Sequence, residues 1–214
     1  MQRMPPQSSL FMENKILLYG ASGHCKVIID ILRLNGYRHF SLYDDRPRND
    51  TFFGYPVHHA EQMPDTGHAL ICIGNNAVHK RISDSSSHTY ITAKHPSAMI
   101  SSDVIVGEGT VIMPGAIVNA GSLIGRHCIV NSGAIVEHDN EINDFAHVSP
   151  GAALAGNVTI GEGSHIGINA TVIQGVTIGK WATVGAGATV LNDVPDYAVV
   201  VGTPAKIIKY NNHG

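Results

Sequence analysis

From residue 100 onward the chain repeats itself every six residues. Ile100, Val106, Ile112, Val118, Ile124, Val130, Val136, Ile142, Val148, Leu154, Ile160, Ile166, Val172, Ile178, Val184 and Val190 are sixteen consecutive aliphatic positions, with no insertion. The position four residues later, from Val104 to Val194, is small or β-branched except at Asn140. Six residues make one short strand and one tight corner, with the aliphatic side chain inward and the small residue where the chain turns. One such coil cannot bury its own apolar side, but stacked coils build a continuous core. That core is narrow, and the segment 100–194 holds only two aromatic residues, Phe145 and Trp181. A β-sandwich would need period-two alternation, which is absent. Gly107, Gly125, Gly161 and Gly179 recur beside the aliphatic position, where they are expected to ease the corner conformation.

The hexad resembles the hexapeptide repeat of acyltransferases that fold as a left-handed parallel β-helix. The resemblance implies three hexads, 18 residues, per coil. The usual right-handed crossover rule would have given the other hand.

Charge divides the chain. Residues 1–99 carry ten basic and eight acidic groups, residues 100–194 two and eight, and residues 195–214 two and one. We therefore expect a flexible extension over 1–14, an α/β domain over 15–98, the β-helix over 99–194 and a tail over 195–214. A net charge of −3 argues against general nucleic-acid binding. No run approaches the roughly 18 apolar residues of a membrane span, and Leu10-Phe11-Met12 is too short for a signal-peptide core. Cys25, Cys72 and Cys128 lack metal spacing, so free thiols in a reducing cytoplasm are expected.

The first domain reads as β-α-β. An apolar strand over 15–19 ends at Gly20-Ala21-Ser22-Gly23-His24, and a helix is expected over 26–34. Further strands are expected over 40–43, ending at Asp44-Asp45, then over 68–73 and 87–94. A glycine turn opening onto a helix presents backbone N–H groups to phosphate. A carboxylate about 20 residues later, Asp44 or Asp45, can accept hydrogen bonds from a ribose. The turn is shorter than the full dinucleotide fingerprint, so a mononucleotide-linked ligand fits better.

The repeat breaks its own pattern at Glu137-His138-Asp139-Asn140-Glu141. Local inconsistency of this kind is where function is expected. In 18-residue coils His138 lies between Gly156 and Ala120, whose small size leaves room for a substrate. A histidine held by a carboxylate on one ring nitrogen can act as a general base through the other. His147 and His165 differ by one coil and should stack, and Asn131 reads equally well as a turn residue.

From about residue 15 to 209 the chain resembles the sialic acid O-acetyltransferase/bacillosamine N-acetyltransferase family of bacterial nucleotide-sugar enzymes. The matching pieces include Tyr19-Gly-Ala-Ser-Gly-His24, Asp44-Asp45, His95-Pro-Ser-Ala98, Val136-Glu-His-Asp139, Phe145-Ala-His-Val-Ser149, Gly167-Ile-Asn169 and Val201-Gly-Thr-Pro-Ala-Lys206. The resemblance implies acetyl-CoA as co-substrate, no metal, and an active site between subunits of a homotrimer. There His138 is the base, Asp139 or Glu137 orients it, and Asn131 and His147 line the same cleft. Bacillosamine enzymes tend to carry Glu after the histidine, and Asp139 departs from that. Acetyl-CoA is expected near His147, Gly156, His165, Ile168 and Ala186. Lys180, Lys206 and Lys209 are the natural phosphate partners on an otherwise acidic helix. The nucleotide sugar is expected at Gly20, Ser22, Gly23, His24, Asp44 and Asp45. The implied reaction is N-acetylation of a UDP-linked 4-amino sugar. Alternatives are O-acetylation of sialic acid, a non-catalytic nucleotide-sugar scaffold, and a zinc hydratase using His127, His138, His147 and His165.

Overall fold

The structure is a computed structural model describing residues 15–211. The extension expected over 1–14 lies outside the described residues. The first domain runs β1 (Ile16–Tyr19), α1 (Gly23–Leu34), β2 (Phe40–Asp44), β3 (Thr51–Phe52), β4 (Tyr55–His59), β5 (His68–Ile71), α2 (Asn76–Asp84) and β6 (Thr89–Tyr90). The strands lie in the order β3-β4-β2-β1-β5-β6, and only the β3-β4 pair is antiparallel. α1 begins at Gly23, earlier than expected, and buries Cys25, Ile28, Ile29, Ile31 and Leu32 against Ile16, Leu18, Leu42 and Leu70. The sequence reading missed α2, whose N-terminus is capped by Asn75 accepting the Val78 N–H.

The remainder is a left-handed parallel β-helix whose coils use two-residue strands, closed at its end by Ala198–Val201, parallel to Thr183–Val184, and by the antiparallel strand Lys206–Tyr210. Register confirms an 18-residue coil: Ile129 pairs with His147, His147 with His165, and His165 with Thr183. Three parallel faces result. The first carries His147 and His165, the second Ile117, Ile135 and Ala153, the third Leu123, Glu141 and Thr159. The sixteen aliphatic positions point inward. From Ile112 to Val190 they are buried, and Ile100 and Val106 pack against them at the first coil.

Two expectations need correction. The single strand expected over 87–94 is two. Thr89–Tyr90 completes the first sheet and Ala93–Lys94 pairs with Val111–Ile112 of the β-helix, because the chain passes from one sheet to the other between them. Gly107, Gly125, Gly161 and Gly179 are not needed for left-handed backbone. A Cβ on Gly161 would lie 2.6 Å from the backbone of Gly179 and Lys180 in the next coil, and one on Gly107 equally close to Gly125 and Arg126. These glycines let coils approach. Gly161→Ala is expected to cost about 1–3 kcal/mol of stability, the usual range for overpacking. Chemical denaturation checks this, and unchanged stability would show that the coils can part there.

Asn140 also acquires a structural explanation. Ser122 Oγ donates to the Glu137 carbonyl (2.9 Å) and accepts the Asn140 N–H (3.1 Å). Asn140 repeats this one coil on, donating to the Ala155 carbonyl (3.0 Å) and accepting the Val158 N–H (2.9 Å). Thr110 and Ser164 clamp coils in the same way. The polar break at 137–141 is therefore part structural, with Asn140 a clamp between coils.

α2 docks the first domain onto the β-helix. Asn76 donates to the carbonyl oxygens of Gly163 and Ser164, and His79 contacts His127, whose ring stacks on Phe145 at 5.2 Å.

Candidate active site

His138 and Asp139 occupy the corner between the second and third faces, just after Ile135–Val136. This corner demands left-handed backbone: Gly121, Asp139, Asn157 and Gly175 stack there with φ of 74°, 58°, 57° and 71°. Asp and Asn enter that region more readily than most side chains. Asp139 Oδ2 lies 2.8 Å from His138 Nδ1. A carboxylate can only accept, so Nδ1 carries the proton and Nε2 is left as a bare acceptor. The ring projects outward, 63 % exposed. It lies over Gly156, where an added Cβ would stand 2.5 Å from the ring, so a larger residue there would displace the ring from this position. Glu137 instead accepts from Asn119 Nδ2 at 2.9 Å. Of the two carboxylates left open by the sequence, Asp139 touches the ring.

Asn131 and His147 are brought together, but not with His138. Asn131 Nδ2 lies 3.0 Å from His147 Nε2, at the corner between the first and second faces. His147 and His165 stack as expected, with ring centroids 4.7 Å apart, and His165 Nε2 contacts Ser149 Oγ at 2.9 Å. His147 is buried, however, and His165 half-buried. The first domain covers them, and burial pushes His147 down to about 3 and lowers His165. Ile168 and Ala186 are exposed on the Asn131 corner. Lys180 stands on the third corner, and Lys206 on the terminal hairpin strand Lys206–Tyr210. Within one chain the expected acetyl-CoA residues are thus spread over three corners. The four helical histidines of the hydratase reading are not brought together: His127 lies under α2 and His138 on its own corner, and only His147 and His165 are neighbours. Among the described residues no group of three or more His, Cys, Asp or Glu is placed to hold a metal ion.

The nucleotide end is more compact. Gly20 needs its φ of +103°, and a Cβ there would meet Ile73 Cγ1 at 2.8 Å. Ser22, Gly23 and Asp44 line a cleft of about 580 Å³ together with Arg46, Arg48 and Phe52. His24 is mostly enclosed, its Nε2 makes no hydrogen bond, and burial lowers its pKa. Asp44 and Asp45 separate: Asp44 faces the cleft, whereas Asp45 accepts from the Tyr19 hydroxyl at 2.5 Å. The sequence reading overlooked Arg46 and Arg48, although two arginines directly after the acidic pair were a usable signal.

Comparison with known proteins identifies the family. Residues 15–86 match the family described as PglD N-terminal domain, and residues 157–192 match the bacterial transferase hexapeptide (six repeats). PerB from Caulobacter crescentus, solved in complex with CoA and GDP-perosamine, is 35% identical over 92% of this chain and 98% of its own, with a TM-score of 0.84. The acetyltransferase domain of PglB from Neisseria gonorrhoeae FA1090, solved with acetyl coenzyme A, is 36% identical over 91% and 99%, with a TM-score of 0.86. A UDP-N-acetylbacillosamine N-acetyltransferase of Bacillus subtilis (strain 168) is 40% identical over 110 residues, 46% of this chain; the match spans half the length of that relative. The shared fold over nearly the whole of both solved chains places this protein in the family of acetyl-CoA-dependent, hexapeptide-repeat sugar N-acetyltransferases with a PglD-type N-terminal domain.

Proposed function

We propose that the protein transfers the acetyl group of acetyl-CoA to the 4-amino group of a nucleotide-linked 4-amino-4,6-dideoxy sugar, UDP-linked in the first instance. The observation that carries this reading is the exposed His138 ring, held by Asp139 with Nε2 free. The neutral sugar amine attacks the thioester carbonyl, and Nε2 takes the amine proton as the C–N bond forms. The C–S bond then breaks, and the imidazolium returns the proton to the departing thiolate. No acyl-enzyme is required. Cys128 is buried, its thiol pushed up to about 12 by that burial, and it is a poor nucleophile. An acetyl-transfer assay with UDP- and GDP-linked 4-amino sugars tests the reading, and failure to acetylate any of them would refute it.

We further propose a homotrimer, a reading that the exposed faces of the β-helix support. The first domain covers the first face, while the second and third faces present Met99, Ile105 and Leu123, exposed by 67 %, 65 % and 46 %. Packing copies through these faces buries that surface. It also lets the Asn131–His147 corner of one copy meet the His138 corner of another, giving the concavity that one convex corner lacks. Sedimentation is expected to give three times the 22.8 kDa chain; an active monomer would overturn this. We assign the reaction to the cytoplasm, in keeping with three buried free cysteines.

A further inference from the structure

The cleft at the end of β2 is lined by one anionic side chain, Asp44, and that side chain is already engaged. One Asp44 oxygen accepts the Ala21 N–H at 2.8 Å, and the other accepts the Arg46 N–H at 2.8 Å. The carboxylate therefore ties the glycine turn to the loop that follows β2. That loop brings Arg46 and Arg48 to the cleft wall, opposite Ser22 and Gly23. Three other arginines are used within the fold. Arg33 bonds Tyr55 and pairs with Asp30, Arg38 donates to two carbonyl groups, and Arg126 makes a two-nitrogen contact with Asp144. The guanidinium groups of Arg46 and Arg48 make no hydrogen bond or ion pair with any described residue. Phe52 adds an apolar wall, with Lys26 Nζ 5.5 Å from its ring centroid. The cleft thus offers unspent, forked donors and positive charge beside an aromatic ring. A ligand matching it is rich in anionic oxygen and carries a flat ring.

We propose that Arg46 and Arg48 bind the nucleoside diphosphate of the substrate in this cleft, and that Asp44 is a positioning residue that holds their loop against the glycine turn. This rests on the reading of the acceptor as nucleotide-linked. Guanidinium forks match phosphate oxygens two at a time, which an ammonium cannot do.

Calorimetric titration of the full chain with UDP, with GDP and with acetyl-CoA tests the assignment. Arg46→Ala combined with Arg48→Ala is expected to weaken the nucleotide bound by the wild type by about tenfold to a hundredfold. It should leave acetyl-CoA affinity unchanged, which also shows that the variant is folded, and should flatten the salt dependence of nucleotide binding. The double Lys replacement should fall between, keeping charge but losing the fork. Asp44→Asn separates positioning from simple charge. Removing a negative charge beside an anion would tighten binding on charge alone, whereas loss of the loop tether weakens it. The proposal predicts weaker binding. A double Ala variant that binds nucleotide like the wild type overturns the arginine assignment, and tighter binding by Asp44→Asn overturns the positioning role. Wild-type protein that binds acetyl-CoA but neither nucleotide would show that the acceptor reading itself has failed, and this assignment with it.

Discussion

His138→Ala is expected to lower kcat by about 10²–10⁴, the usual worth of a general base, while leaving acetyl-CoA affinity and stability nearly unchanged. The ring is 63 % exposed and packs against no core side chain, so its removal opens no cavity. Its contribution lies in the free Nε2, which exists only while Nδ1 donates to Asp139. Asp139→Asn keeps the ring but replaces an acceptor-only carboxylate with an amide that can accept or donate at Nδ1, so the tautomer is no longer fixed, and it should cost less than removing the base. Its backbone at φ of +58° is tolerated by Asn, which occupies the stacked position at 157. Glu137→Gln should cost least of the three, because Glu137 is bound to Asn119 and not to the ring. Steady-state and single-turnover rates check the order, and near-normal kcat for His138→Ala would end the hypothesis. His147 is a poor replacement, since its ring is buried and its Nε2 faces Asn131.

The second large effect is on acid stability. His79 Nδ1 lies 3.2 Å from the Ile73 carbonyl, so that nitrogen donates and Nε2 accepts. His127 Nδ1, 3.2 Å away, must then be the donor to His79, and His127 Nε2 accepts from Ser83 Oγ at 2.9 Å. Every proton in the chain is assigned and both rings are neutral. Burial, then the neighbouring His127, pushes His79 down to about 3. Burial and then Arg126 push His127 down to about 4, against the opposing pull of Asp144 and Asp84. Burial and then His165 hold His147 at about 3. Because the folded values are lowered, the unfolded chain takes up protons first as pH falls below about 6.5. The neutral rings' contribution is complete above that pH and is lost on the way down toward 4 and 3. The loss is on the order of 2 kcal/mol per buried ring by pH 5. Tm should therefore drop between pH 7 and 5, with amides of α2 the first to lose exchange protection. The drop should shrink in His79→Leu combined with His127→Phe. A wild-type Tm that stays flat over this range would refute the assignment.

The 18-residue coil and its left hand came from the family resemblance, but the six-residue period was sufficient to indicate a solenoid of stacked coils, because an aliphatic residue at every sixth position has few other ways to be buried. It also located His138, since the coil length converts sequence distance into stacking: Gly156 lies over His138 because it is 18 residues away. The glycine turn and β1-α1-β2 were legible for a similar reason, as their contacts are local or between neighbouring strands. What depended on docking was not legible. α2 carries only His79 and Ile82 as buried residues, too few to advertise an apolar stripe. Its partners His127 and Phe145 lie more than forty residues away, so their burial, and that of His147 and His165, was invisible. The choice between Asp139 and Glu137 likewise lay beyond the sequence. Neighbours on either side of a corner residue point in different directions, and only the left-handed backbone at Asp139 turns its short carboxylate onto the His138 ring.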